Sequence, residues 1–237
     1  RFGEGRAGHD IIGFLDPSGE YVALSAPVKA EGPVEHWLLA FENGMRTALY
    51  DGSKRSFVNY PPTEDGAIHR KDWLWSCCAQ VIIAIDQVTW TAACGLALLS
   101  MQNGEDMNAS THFLEFSLEQ IEAMVDLVRS PLDKQQRTLM GAMLTIDVHA
   151  RDVTRAMNIA SLSDFEWTKQ LRYYWDEEVD DIFAKQTNSS FRYGYEYLGN
   201  GPRLVITPLT DTCYLTLTGA LHMKLGGAPA GPAGTGK

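Results

Sequence analysis

Gly231-Pro232-Ala233-Gly234-Thr235-Gly236-Lys237 stands at the end of the chain and spells G-x-x-x-x-G-K. This is the pattern of a phosphate-binding loop, in which glycines let consecutive backbone N–H groups converge on phosphate oxygens and the lysine reaches the terminal phosphates. Such a loop is followed by a Ser or Thr and then by a helix whose positive N-terminal end faces the anion. Neither is in the sequence. With Arg1 and not methionine in first place, the expectation is a piece of a longer polypeptide, open at both ends.

The residues upstream narrow the reading. Tyr193-Gly-Tyr-Glu-Tyr-Leu-Gly-Asn-Gly-Pro-Arg-Leu-Val-Ile-Thr-Pro-Leu-Thr-Asp-Thr-Cys-Tyr214, with Leu215 to Leu225 and Gly226-Gly-Ala-Pro-Ala-Gly-Pro-Ala-Gly-Thr-Gly-Lys237, resembles the entry to the first AAA+ module of a dynein heavy chain. A weaker match through Leu144-Thr-Ile-Asp-Val-His-Ala-Arg-Asp-Val153 and Gln170-Leu-Arg-Tyr-Tyr-Trp-Asp176 resembles the C-terminal part of the dynein linker, the helical arm that lies across the motor ring. The Leu-Gly-Asn-x-Pro-Arg-Leu-Val-Ile-Thr-Pro and Gly-Gly-Ala-Pro-Ala-Gly segments look more axonemal than cytoplasmic.

The resemblance implies a mostly α chain. Residues 1–189 would be the C-terminal part of the linker, joined through a β-hairpin to the start of an α/β P-loop AAA+ module at 190–237. It further implies that Gly231, Pro232, Ala233, Gly234, Thr235, Gly236 and Lys237 hold the phosphates of ATP, with Lys237 drawing charge from the transferring phosphoryl group. Leu204, Val205 and Pro208 would border the adenine, against a competing role for them in the core. Mg²⁺ would be held by residues downstream. The implied partners are the microtubule, reached through a stalk outside this sequence, and other dynein heavy, intermediate and light chains. The implied setting is the cytoskeleton of the cytoplasm and the axoneme of a cilium or flagellum. Thr212 departs from the pattern, standing where the family usually has arginine.

Composition fits these expectations. The 237 residues carry 30 acidic and 20 basic side chains, a net charge of −10, which argues against a nucleic-acid-handling ATPase with its basic stripe. The four cysteines lack zinc-site spacing and disulfide-framework density, so they read as reduced thiols in the core, with no metal site. The apolar stretch Trp73 to Met101 is interrupted by Gln80, Asp86 and Gln87 and reads as a buried helix, with no span across a membrane.

Along the chain, Ile11–Leu15 and Tyr21–Leu24 flank the turn Asp16-Pro-Ser-Gly19 and predict a small hairpin. Val34, Trp37, Leu38, Phe41, Met45, Ala48 and Leu49 return at helical spacing after Pro33, and Tyr60 to Gly66 reads as a loop. Helices are expected over Trp73–Leu99, ended by Asn103-Gly104, and over Phe113–Val128, with Leu114, Leu118, Ile121, Val125 and Val128 inward and Glu115, Glu119 and Glu122 in water. A third is expected to open at Ser130-Pro131, carrying Leu139, Met140, Met143, Leu144, Val148 and Val153.

On that third helix Asp147, His149, Arg151 and Asp152 resemble a catalytic cluster. Residues two apart point to different faces, however, so a polar network or an arm–ring contact is the preferred reading. Ser163-Asp-Phe-Glu166 predicts a capped helix continuing through Trp167, Leu171, Tyr174, Trp175 and the acidic run to Asp181. The alternation of Phe191, Tyr193, Tyr195 and Tyr197, the turn at Leu198–Gly201 and Arg203–Ile206 predict a hairpin. Pro208 opens a helix ending near Leu225–Gly227.

Two other classes share these features. An AAA+ remodelling ATPase would use the same loop, and a helical interaction scaffold could carry a pocket that binds nucleotide without hydrolysing it.

Overall fold

A computed structural model describes residues 10–60, 70–156 and 161–234. Among them the chain is mostly helical, with two small antiparallel sheets. The loop expected at Tyr60–Gly66 lies, beyond Tyr60, outside the described residues.

The first hairpin forms as expected, from β1 (Asp10–Leu15) and β2 (Tyr21–Lys29). Ser18 Oγ donates to both Asp16 carboxylate oxygens and the Glu20 N–H donates to Asp16 Oδ1 at 2.8 Å, while Gly19 takes φ of +91°. Only glycine adopts that backbone without strain.

Helix α1 (Val34–Val58) lies against β2 and the central helix. Its buried residues are Ala48, Leu49, Gly52, Ser53 and Ser56, a seam of small side chains that admits Val81, whose Cγ2 would lie 3.4 Å from a Cβ built on Gly52. The helix expected from Trp73 breaks in two: α2 (Arg70–Trp73) and α3 (Ala79–Gln102). Trp73 is pinned by its Nε1–H to the Ser56 carbonyl at 3.1 Å, and the chain turns through Leu74–Cys78 so that both Trp73 and Leu74 are fully buried. Asn103 caps α3 as expected. This helix has the length and apolarity of a membrane span, yet Val81–Asp86 are all buried inside the bundle by neighbouring elements.

Helix α4 (Ala109–Val128) buries Met124; Leu114, Leu118, Ile121 and Val128 are partly buried as expected, Val125 is 37% exposed, and Glu115, Glu119 and Glu122 are exposed as expected. Helix α5 (Lys134–Ala156) begins later than Ser130-Pro131 because Asp133 is the better cap. Asp133 Oδ1 accepts the Gln136 N–H at 2.8 Å and Gln136 Oε1 accepts the Asp133 N–H at 3.0 Å, a reciprocal box that satisfies two orphan donors.

Between 163 and 206 the structure corrects the sequence reading twice. The capped helix is one turn, α6 (Phe165–Thr168), and Arg172 to Asp176 is strand β3, paired antiparallel with β4 (Asp181–Gln186). Arg172-Tyr-Tyr-Trp-Asp176 holds three consecutive aromatics with strand preference, and the acidic run is their turn: Asp176 Oδ1 accepts the N–H of Glu178 and Val179, and Asp180 takes φ of +54°.

The second hairpin is also different. β5 (Ser189–Arg192) pairs with β4, whereas Arg203–Ile206 forms no strand. The division expected at 189/190 falls inside β5. This sheet rests on α3, with Thr91 Oγ1 accepting the Tyr173 N–H at 3.1 Å, and on α1, where Phe57 and Trp175 stack at 5.1 Å. Helix α7 (Pro208–His222) follows, near its expected limits.

A buried charge cluster joins three helices. Arg70 donates to Asp86 at 2.6 Å and to both oxygens of Asp147 at 2.9 and 3.0 Å. Burial, together with the Asp147 charge, pushes the Asp86 carboxyl up to about 7 against the pull of Arg70. The folded chain then holds a proton that the unfolded chain releases near pH 4, so this group's contribution to stability falls as pH rises from about 4 to about 7. Asp86→Asn removes that slope; urea titrations of both proteins across this window measure it.

Candidate functional site

The last segment begins with a cap whose chemistry is legible in Thr207-Pro208-Leu-Thr210. The Thr207 hydroxyl accepts the Thr210 N–H at 3.3 Å, the Thr210 hydroxyl accepts the Thr207 N–H at 3.3 Å, and Pro208 occupies the first turn, where its missing donor costs nothing. Thr212 donates its hydroxyl to the Pro208 carbonyl at 2.9 Å and is exposed. At the other end Lys224 takes φ of +58° and the Leu225 N–H reaches the Ala220 carbonyl at 2.8 Å, which closes the helix as a Schellman turn does.

Leu204 and Val205 are 87% and 76% exposed in this chain. Pro208 is exposed beside them. Helix α7 buries none of its residues, and Leu209, Leu221, Met223 and Leu225 face outward with them. Exposed apolar side chains thus stand at both ends of α7.

Of the phosphate-loop residues, Gly231, Pro232, Ala233 and Gly234 are described; Thr235, Gly236 and Lys237 lie outside the described residues. Ala228-Pro229-Ala230 leads into them without forming a strand. A phosphate-loop strand needs ladder neighbours for its N–H and C=O groups, and the described residues offer it none. Gly234 takes φ of +80° with open space where a Cβ would stand, the backbone freedom that a phosphate cradle uses.

Helices α3 and α5 face this segment across a cavity of about 170 Å³. Asp86, Trp90, Asp147 and His149 line one side, Arg203, Ile206, Asp211 and Tyr214 the other. His149 Nε2 stands 3.4 Å from Asp211 Oδ1 across it. Asp147 turns instead to Arg70, and Arg151 pairs with its neighbour Asp152 at 2.7 Å. The cluster on α5 is therefore dispersed over separate structural contacts, as its spacing predicts.

Elsewhere, three side chains and one backbone carbonyl from earlier in the chain hold residues 196–200. Gln80 Nε2 donates to the Glu196 carbonyl at 2.7 Å while its Oε1 accepts the Leu198 N–H at 2.7 Å. Glu20 accepts the Tyr197 hydroxyl at 2.8 Å with one oxygen and the Ala79 N–H at 2.8 Å with the other, so it also neutralises the positive end of α3. Burial and Glu20 together raise the Tyr197 phenol, which keeps it a donor. Asp16 Oδ2 accepts the Asn200 N–H at 2.8 Å, and Asn200 Nδ2 donates to the Gln135 carbonyl at 3.0 Å. These contacts are invisible to local reading, because each partner lies far away in sequence.

The cysteines divide as packing dictates. Cys94 is buried, Cys77 and Cys78 are half-buried and Cys213 is exposed, all free. Burial pushes the Cys78 and Cys94 thiols up to about 12, which suppresses the reactive thiolate.

Residues 193–237 match the family model described as the hydrolytic ATP binding site of the dynein motor region. The whole chain is similar to axonemal dynein heavy chains. It is 44% identical over 231 residues to dynein axonemal heavy chain 1 of Mus musculus, covering 96% of this chain and 5% of the relative. With dynein axonemal heavy chain 6 of Homo sapiens it shares 42% identity over 233 residues, 97% of this chain and 6% of that one. With dynein axonemal heavy chain 12 of Rattus norvegicus it shares 41% over 234 residues, 96% and 7% respectively. The chain belongs to the axonemal dynein heavy chain family and spans 5% to 7% of the length of these relatives.

Proposed function

We propose that this chain is the junction between the lever arm and the first ATP site of an axonemal dynein heavy chain. Residues 1–189 form the C-terminal part of the linker and 190–237 the entry to the first AAA+ module. The observation that carries the reading is the contrast between a well-packed arm and a terminal segment whose apolar side chains stand in water. The remainder of an α/β module would cover that surface and supply the strands that Ala228–Ala230 needs beside it.

Leu204, Val205 and Pro208 offer exposed apolar side chains of a kind suited to the flat adenine ring, and Gly231 to Lys237 would hold the phosphates through backbone N–H groups and the Lys237 ammonium. ATP supplies the transferable phosphoryl group, and Mg²⁺ would be held by groups beyond Lys237. The complete heavy chain would hydrolyse ATP, work on microtubules with other dynein chains, and operate in the axoneme of a cilium or flagellum. Moving an arm from 1:99 to 99:1 between two positions takes roughly 5.5 kcal/mol of differential nucleotide affinity, which phosphate contacts made in one state only can provide.

Leu204→Asp in the full heavy chain tests the adenine surface. Losing the burial of a leucine, about 1.5–3 kcal/mol, weakens ATP binding roughly 10- to 100-fold. Titration with a fluorescent ATP analogue measures it, and unchanged affinity removes Leu204 from the site.

A further inference from the structure

A second cavity, of about 110 Å³, lies inside the helical bundle. Among the described residues its lining comes from α2, α3, α4, α5 and Tyr60, just past the end of α1. Four aromatic side chains face it: Tyr60, Trp90, Phe113 and Phe116. One wall, made by Asp86, Trp90, Asp147 and Ala150, is shared with the cavity that faces α7. Two donors on lining residues, Arg70 Nε–H and Trp90 Nε1–H, are buried and meet no acceptor among the described residues. Orphan donors of this kind call for a ligand atom or a water.

The charged side of this cavity is one cation short. Arg70 gives two of its three hydrogen bonds to Asp147 and one to Asp86, so a single positive charge answers two carboxyl groups that are largely out of water. No other cation pairs with either of them among the described residues. Until a second positive charge arrives a proton must take its place, because an unpaired carboxylate is costly in the core. Arg70, Asp147 and Tyr60 face Asp86 directly, while α4 brings only Ser117 and Gln120, which do not titrate. Beyond the shared wall stand His149, Arg203 and Asp211, with the phenols of Tyr173 and Tyr214.

We propose that this cavity binds a small alkylammonium head group, caged by Tyr60, Trp90, Phe113 and Phe116, with Asp86 and Asp147 supplying its counter-charge. A cation over aromatic faces is attracted by their quadrupoles, most strongly where water is excluded. Methyl groups on the nitrogen suit the rings and leave no N–H to satisfy, whereas a bare metal ion would find too few oxygen ligands. A cavity of about 150 Å³ holds a benzene ring, so 110 Å³ limits the occupant to about five heavy atoms, the size of a trimethylated nitrogen with one further carbon. A hydroxyl beside the head group, as in choline, would offer its oxygen to an orphan donor. On binding, the ligand's charge replaces the proton on Asp86. The cage is made by the helical bundle alone and does not depend on the ATP-site reading.

Calorimetric titration of the full-length heavy chain with tetramethylammonium chloride, at an ionic strength held constant with sodium chloride, tests the site. Saturable binding with a Kd of about 1 mM or tighter is expected near pH 8. The Asp86 carboxyl is pushed up to about 7 and the cation takes only the ionised cluster, so affinity is expected to fall about ten-fold between about pH 8 and about pH 6. Asp86→Asn keeps the shape but completes the charge balance. It is expected to weaken binding at least about ten-fold and to remove the pH dependence, and its difference from wild type isolates this site from others on the heavy chain. Phe116→Leu is expected to weaken binding about two- to five-fold with the pH dependence kept. Choline is expected to bind, and its uncharged analogue with a tert-butyl group in place of trimethylammonium is not. Comparing choline with a peptide carrying trimethyllysine assigns the source of the head group, and tighter binding of either supports the cage. No saturable binding near pH 8, equal affinity for the uncharged analogue, or wild-type affinity in both Asp86→Asn and Phe116→Leu overturns the proposal.

Discussion

Arg70→Met lowers the unfolding free energy of the chain by about 3–5 kcal/mol near neutral pH. The guanidinium is 11% exposed and faces two carboxylates that are 6% and 12% exposed, so its removal strands negative charge in the core. Methionine keeps the volume of the stem, which confines the loss to electrostatics. The cost shrinks as pH falls, because the stranded carboxyls take up protons to become neutral. Equilibrium urea unfolding at two pH values measures both features. A loss below about 1 kcal/mol at neutral pH, the range of exposed pairs, would mean that water reaches the cluster. Since α2, α3 and α5 meet at this point, the same variant loosens the wall of the cavity that faces α7.

The contrast with the surface pairs decides which charges matter. Arg46–Glu42 and Arg129–Asp126 are at least half exposed on both sides and contribute little. Lys54 and Tyr50 both engage Asp180, fixing the β3–β4 turn to α1, but Lys54 and Asp180 are solvent-facing, and the aromatic stack beneath them holds the sheet.

Much of this architecture is written locally. The period of Val34 to Leu49 announces α1, Asp16-Pro-Ser-Gly announces the first hairpin, and Thr207-Pro208 announces α7, because each element is specified by residues within one or two turns of one another. The failures share a cause. Trp167, Leu171, Tyr174 and Trp175 satisfy a helical period, but Tyr and Trp also favour strands, and the outcome was settled by Thr91 and Phe57, far away in the chain. Arg203–Ile206 has strand composition, yet no ladder partner among the described residues reaches it. The helix from Trp73 broke because one indole found the Ser56 carbonyl. At the proposed site, the glycine pattern of Gly231 to Lys237 and the apolar Leu204-Val205 pair are readings of the sequence alone. The arm's grip on residues 196–200 was not legible, since Glu20, Gln80 and Asp16 carry no motif and acquire their partners only when the chain folds.

Lys237→Ala in the full-length heavy chain has the largest expected effect on function. The ammonium is the one formal positive charge in Gly231–Lys237, and on the proposed reading the charge it would offset grows as the phosphoryl group transfers. Removal of a single group of this kind costs about 10²–10³-fold in turnover. Stability and the hydrogen-exchange pattern of residues 10–200 are expected to stay at wild-type values. ATP turnover per heavy chain, measured for wild type and Lys237→Ala in the presence of microtubules, is the most direct test of an ATP site that begins in this segment. The account predicts loss of turnover with an intact arm, and turnover equal to wild type in Lys237→Ala would contradict it.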